Sequence, residues 1–239
     1  MRRRTAAAVG LLLLVPAQPV SADTAPPGPV WETCHTVLAG VPVKVRKSER
    51  TRTVVDGIGP RRALLSFWVR DESPCGFVQV FSVRAWVGQN GFANGKTRRQ
   101  GSLTTPTGTY TMTEAFGINP NPGTALPYHQ VVAGDWWVQD NNSPYYNSLR
   151  NESQGGFRPT PHGLNGSERL MDYGKQYAHA VVINFNRAPD VQIARRGSGI
   201  FLHANSGKGA TAGCVSIGKP KLRLLMTYLQ PRDRITIVR

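Results

Sequence analysis

Gly199-Ile-Phe-Leu-His-Ala-Asn-Ser-Gly-Lys-Gly-Ala-Thr-Ala-Gly-Cys-Val-Ser216 is the most informative stretch of the chain. Its first six residues form a continuous apolar run closed by His203 and Ala204, the pattern of a strand buried on both faces. A glycine-rich loop, Ser206 to Ala210, follows, and then a short segment carries Cys214 behind Gly213. A thiol becomes a nucleophile when a neighbouring base or positive charge favours its thiolate. His203 lies eleven residues upstream across a loop with two glycines, so the chain is able to fold it back onto the thiol. Gly213 lets backbone N–H groups of Gly213 and Cys214 approach a substrate carbonyl and stabilise an oxyanion. On spacing alone, a core histidine and a buried thiol explain this pair equally well.

The sequence around this stretch reads as strands. Ala63 to Val69 and Gly76 to Val83 are rich in β-type residues, Ala180 to Phe185 is a second continuous apolar run, and Arg234 to Val238 alternates. Thr105-Pro-Thr-Gly108 reads as a turn ahead of a strand over 109–113. Residues 115–127 and 140–161 are rich in Gly, Pro and Asn and read as long loops, of a length that is more often functional than idle. One mature helix is expected: Pro220 suits a first turn, and Leu222, Leu225, Met226 and Leu229 follow at i, i+3, i+4, i+7 before Pro231. The expectation is a mostly β single domain of sandwich or barrel type with few short helices.

Arg2, Arg3 and Arg4, the apolar run Ala6 to Val15 and the small residues Val20-Ser-Ala22 have the layout of a secretory signal peptide over 1–22. The apolar run is shorter than the ~20 residues that span a bilayer, so no stable membrane insertion is expected after its removal. Residues 23–35, with several prolines, read as a linker, and 36–239 as one catalytic domain. The formal charge of +15 becomes +12 once the three leader arginines are set aside. The basic residues are scattered rather than interleaved with aromatics, which argues against nucleic acid and for an anionic cell envelope as partner.

Three cysteines outside the cell call for a split of roles. Cys34 and Cys75 are expected to form a disulfide, worth roughly 3–4 kcal/mol in the chain-entropy account. Cys214 is then the free thiol. His129, His162 and His179 lack the spacing of a metal site, so no metal is expected at them. Trp136, Trp137, Tyr145 and Tyr146 suit packing under a long loop as well as a cleft, and Lys208 reads as a solvated loop residue.

The His203 and Thr211-Ala-Gly-Cys-Val-Ser216 segments together resemble the active-site signature of the L,D-transpeptidase catalytic domain family (YkuD-like), in its secreted actinobacterial-type form. Ser102-Leu-Thr-Thr-Pro-Thr-Gly-Thr-Tyr110 is similar to a turn of that family. Asp135 to Asn147, and Glu168 to Asn186 with Tyr173 and Tyr177, resemble two more of its segments, in the same order. The resemblance implies a largely β domain in which Cys214 attacks a peptide carbonyl of peptidoglycan and His203 is its base. A thioester would then be resolved by the amine of a second stem peptide. It implies a monomeric, cofactor-free enzyme of the cell wall. Two alternatives stay open: an L,D-carboxypeptidase, with water as acceptor, and a non-catalytic wall-binding domain. Better-known members carry a histidine where Ala212 stands and an Arg or Asn where Ser216 stands, and their His-to-Cys interval is longer, so no substrate contact is inferred at 212 and 216.

Overall fold

The computed structural model describes residues 33–239 apart from 74 and 164. The expected signal peptide and most of the expected linker lie outside the described residues. Sixteen strands and one α-helix follow in chain order. The first five are β1 (Thr33–Leu38), β2 (Val41–Arg46), β3 (Thr51–Gly57), β4 (Arg62–Arg70) and β5 (Phe77–Trp86). Then come β6 (Phe92–Asn94), β7 (Thr105–Thr111), β8 (Ala115–Gly117), β9 (Tyr128–Gln130), β10 (Asp135–Trp137), β11 (Leu149–Asn151) and β12 (Glu168–Arg169). The chain finishes with β13 (Ala180–Val182), β14 (Phe201–Ala204), β15 (Val215–Ile217), α1 (Lys219–Tyr228) and β16 (Arg234–Val238). Two 3-10 turns, Leu170–Tyr173 and Gln176–Ala178, lie between β12 and β13. Thr33, Cys34 and His35, the last residues of the expected linker, already belong to β1.

Eleven strands form one sheet in the order β6-β7-β16-β3-β4-β5-β15-β14-β13-β8-β9. The mostly β architecture with one α-helix among the described residues is the one the residue pattern predicts. One face buries Val55, Leu65, Phe67, Leu202, Val215 and Ile235 together with Leu222, Leu225 and Met226 of α1. A helix so short has little stability of its own, and the apolar stripe at i, i+3, i+4 is what holds it on the sheet. On the opposite face a second cluster gathers Phe116, Trp137, Leu170, Tyr177, Phe201 and Cys214. Trp137 reaches it from the small sheet β11-β10-β12. The β1-β2 hairpin packs Leu38, Val41, Val43 and Val45 on Val54 of β3.

Thr105 to Gly108 corrects the sequence reading: these residues are the first half of β7, not a turn. Their short partner β6 takes Thr105, Pro106 and Thr107 in parallel register, and β16 takes Gly108 to Thr111. Pro106 is tolerated because β6 is a three-residue strand at the sheet edge. The loops expected over 115–127 and 140–161 contain β8 and β11, strands too short to leave a periodic signal.

Cys34 of β1 is bonded to Cys75 in the β4–β5 connection, 41 residues away in sequence. The bond ties the hairpin to the main sheet, and Cys214 is free. Replacing Cys34 and Cys75 together by serine is expected to lower the unfolding free energy by about 3–4 kcal/mol, since it frees that loop in the unfolded chain. Urea titrations of the two proteins without reductant measure the difference.

Candidate active site

Strand register places His203 and Cys214 on one face of the sheet. β14 and β15 are parallel neighbours, with Leu202 opposite Val215 and His203 opposite Ser216. Alternation sends Leu202, Ala204, Val215 and Ile217 into the core with α1. Phe201, His203, Cys214 and Ser216 therefore occupy the other face. Cys214 lies two residues before Ser216, so its Cα is offset from that of His203 by about 6.6 Å along strands about 4.8 Å apart. That separation is within the combined reach of an imidazole and a thiol pointing at each other.

The tautomer of the histidine is fixed by its surroundings. Its Nδ1 lies 2.8 Å from the Ala204 carbonyl, an acceptor only, so Nδ1 carries the proton and Nε2 presents a lone pair. Tyr177 stands edge-on to the imidazole, with centroids 5.8 Å apart. Burial pushes His203 down to about 4, with the Ala204 bond opposing, so the ring is neutral at pH 7.

The thiol is at rest. Cys214 is 7 % exposed. Its Sγ accepts the Phe201 N–H at 3.3 Å and donates to the Gly199 carbonyl at 3.3 Å, and no hydrogen bond joins it to His203. Burial, and then the nearby Glu168 carboxylate, push the thiol up to about 12, against the opposing Phe201 amide and Arg98.

Two threonines hold the nucleophile turn, and the sequence reading named neither as a site residue. Thr105 Oγ1 donates to the Gly213 carbonyl at 2.8 Å and accepts the Gly88 N–H at 2.8 Å. Thr211 Oγ1 donates to the Cys214 carbonyl at 2.6 Å and accepts the Gly213 N–H at 3.1 Å. That last bond changes the expectation for the oxyanion site: the Gly213 N–H is spent inside the turn, and the Cys214 N–H takes no part in the network. Position 213 also demands glycine, because its φ is +140° and a Cβ there would lie 2.8 Å from the Thr104 carbonyl.

Arg98 lies behind this turn, 5 % exposed. It donates to the Thr104 carbonyl at 2.8 Å and the Arg196 carbonyl at 3.2 Å, and has no carboxylate partner. Its charge draws the Cys214 thiol toward ionisation, against the pull of burial.

Glu168 is the acid on the same side. It pairs with Trp137 across β10–β12, accepts an amide bond from Gln139 at 3.4 Å and has the Tyr177 and Tyr173 hydroxyls as neighbours. Burial pushes Glu168 up to about 7, with the tyrosines opposing.

The remaining candidates serve packing. Trp137 is fully buried and donates to Asn147 at 3.0 Å, and Trp136 donates to Glu152 at 2.8 Å. Tyr146 donates to Gln100 at 2.9 Å, and the Arg150 guanidinium sits 3.4 Å over the Tyr145 ring. His129 pairs with Asp135 at 2.7 Å, His179 bonds the Pro120 carbonyl at 3.2 Å, and His162 is exposed. Lys208 is exposed, and Ala212 is exposed beside the buried Ser216. The signal for Thr105 and Glu168 was present in the segments quoted for the family resemblance, but Thr105's partner Gly213 is distant in sequence and Glu168 carries no motif of its own.

No curated protein matches the chain. One solved structure similar to it is titled "L,D-transpeptidase from Mycobacterium smegmatis", at 14% identity over 88% of this chain and 69% of that one, with a TM-score of 0.38. The family model of the L,D-transpeptidase catalytic domain, YkuD, matches residues 51–237, which take in every strand from β3 to β15, the nucleophile turn and α1. The chain belongs to the L,D-transpeptidase catalytic domain family.

Proposed function

We propose that this protein is an exported cysteine acyltransferase that joins peptidoglycan stem peptides through a Cys214 thioester. The observation that carries the proposal is the pairing of a neutral, tautomer-fixed imidazole with a free thiol on one face of adjacent parallel strands. In the first half-reaction His203 Nε2 takes the thiol proton and the sulfur attacks a peptide carbonyl. The Cys214 N–H is the backbone donor left for the oxyanion, and Arg98 offsets the thiolate charge from behind. Such a donor is worth roughly 3–4 kcal/mol in well-studied enzymes. His203 then passes its proton to the departing amine, a D-amino acid is released and the thioester remains. The amine of a second stem peptide resolves it, forming the cross-link. The Cys34–Cys75 disulfide and the basic charge fit an oxidising, anionic cell-wall setting.

Mass spectrometry of the intact protein, incubated with tetrapeptide muropeptides, tests this reading. The expected result is a mass increase equal to the acyl part of the donor, located on the peptide containing Cys214. Dimeric muropeptides should accumulate; trimmed monomers alone would make the enzyme a carboxypeptidase. A protein that gains no mass with these donors or with a carbapenem is not an acyltransferase of this kind.

A further inference from the structure

Glu168 is hard to account for in the first half-reaction. A carboxylate close to Cys214 opposes formation of the thiolate, the step that acylation requires. Its carboxyl end is also desolvated without a cation, since Glu168 makes no ion pair among the described residues. A side chain that served only to sit beside the Tyr173 and Tyr177 hydroxyls would do so as glutamine at lower cost.

Its placement points to the second half-reaction. Glu168 and Trp137 are register partners and project toward the cluster that contains Cys214. A Cβ built on Gly199 would lie 3.6 Å from Glu168 Oε2, and the Gly199 carbonyl is the group to which the thiol donates, at 3.3 Å. One backbone residue thus separates the carboxylate from the sulfur. Gly199 is itself constrained, since its φ is +63° and a side chain would also meet Gln139 at 2.9 Å. The titratable groups facing Glu168 are Tyr173 and Tyr177 from the two 3-10 turns and Cys214. Tyr173 is partly exposed, as is Glu168, so this corner opens to solvent.

We propose that Glu168 binds the ammonium group of the acyl acceptor and takes a proton from it before the amine attacks the thioester. The inference rests on the acyl-transfer reading and names the acceptor's chemical class, a primary ammonium. An ammonium that becomes an amide nitrogen sheds two protons. The first goes to the Glu168 carboxylate, leaving the free amine. Its lone pair forms the C–N bond as the C–S bond breaks, and the second proton passes through His203 to the departing Cys214 sulfur. Glu168 returns its proton to solvent. A carboxyl raised by burial to about 7 is matched to this exchange at neutral pH.

The test measures how the acyl-enzyme partitions. Wild type, Glu168→Gln and Glu168→Asp are acylated at Cys214 with a tetrapeptide muropeptide at pH 7. Each is then offered methylamine, which is cationic at that pH, or hydroxylamine, which is not. Glu168→Gln is expected to form the acyl-enzyme at least as fast as wild type and to transfer to methylamine about 100-fold less well. Its transfer to hydroxylamine should be unchanged, and Glu168→Asp should recover part of the methylamine transfer. Equal methylamine transfer in wild type and Glu168→Gln overturns the proposal, as does an equal loss toward both amines. If Glu168→Gln fails to fold, Glu168→Asp decides: a loss confined to methylamine supports the proposal and a uniform loss overturns it. A wild-type protein that forms no adduct at Cys214 overturns the acyl-transfer reading and this inference with it, whereas an adduct with unselective loss overturns the inference alone.

Discussion

Cys214→Ala is expected to fold and to form no acyl adduct, and His203→Ala to slow adduct formation by about 10²–10⁴-fold. The alanine at 214 removes two long sulfur contacts, to Phe201 and Gly199, from an otherwise apolar cluster, so the cost in stability is small. The effect at 203 is larger than for an ordinary catalytic histidine because the thiol has so little thiolate of its own. Burial pushes Cys214 up to about 12, so at neutral pH the proton must be handed to a base as the sulfur attacks. The pH profile follows from the imidazole. His203 titrates at about 4 in the fold, so it stays neutral and competent well below pH 6. The acid limb of the acylation rate should therefore fall between about pH 4 and 5 rather than near the 6.5 of a free imidazole. Rates of adduct formation with an activated acyl donor, followed by mass spectrometry from pH 4 to 8, check both statements.

The largest expected effect on stability lies away from the site. Arg52 and Glu49 are both fully buried and form an ion pair at 2.5 Å. Arg52 also donates to Thr236 of β16 and to the Lys44 carbonyl of β2, each at 2.9 Å, so one side chain joins the hairpin, β3 and β16. Replacing Arg52 by methionine leaves the buried Glu49 carboxylate with only the Arg46 N–H at 3.1 Å and a long contact to Arg234 at 4.0 Å, and should cost about 3–5 kcal/mol. Burial already raises Glu49 above the usual carboxylate range, and loss of Arg52 removes the largest opposing influence. Adding Glu49→Leu to Arg52→Met should restore most of that loss, because well-packed apolar residues often replace a buried pair without penalty. Urea unfolding of the four proteins of this cycle measures the coupling. A double variant as weak as the single one would show that the hydrogen bonds of Arg52, not the buried charge, dominate.

Periodicity alone located the elements whose residues see one neighbour on each side for several turns of the pattern. β4, β5, β16 and α1 are of that kind, and β16 begins and ends where its alternation does. It failed where pairing is decided by distant strands. Thr105 to Gly108 has the composition of a turn, yet β16 and β6 draw it into the sheet. The Ala180 run is strand only to Val182, since Asn184 leaves the ladder to bond Thr111 and Thr113. For the site, Cys214 and His203 were legible because both lie in one short segment and the cysteine count isolates the thiol. Thr105, Arg98 and Glu168 were not legible as site residues. Gly213 and Cys214 are brought to Thr105 and Arg98 by the sheet across more than a hundred residues, whereas Glu168 lies nine residues from Tyr177 and is set beside it by the two 3-10 turns.

The parallel pairing of β14 with β15 has an evolutionary consequence. The proposed base and nucleophile keep their relation because Leu202, His203 and Ala204 are locked opposite Val215, Ser216 and Ile217. Thr211 anchors the end of the loop that returns the chain to Cys214, but the first part of that loop, with Asn205, Gly207 and Lys208 exposed, contributes nothing to that alignment. Insertions and deletions there are therefore free to accumulate without moving the imidazole relative to the sulfur. The shorter His-to-Cys interval of this chain is the kind of drift such an arrangement permits. A search pattern that fixes this interval would discard functional relatives, whereas one keyed to the two strand segments would keep them.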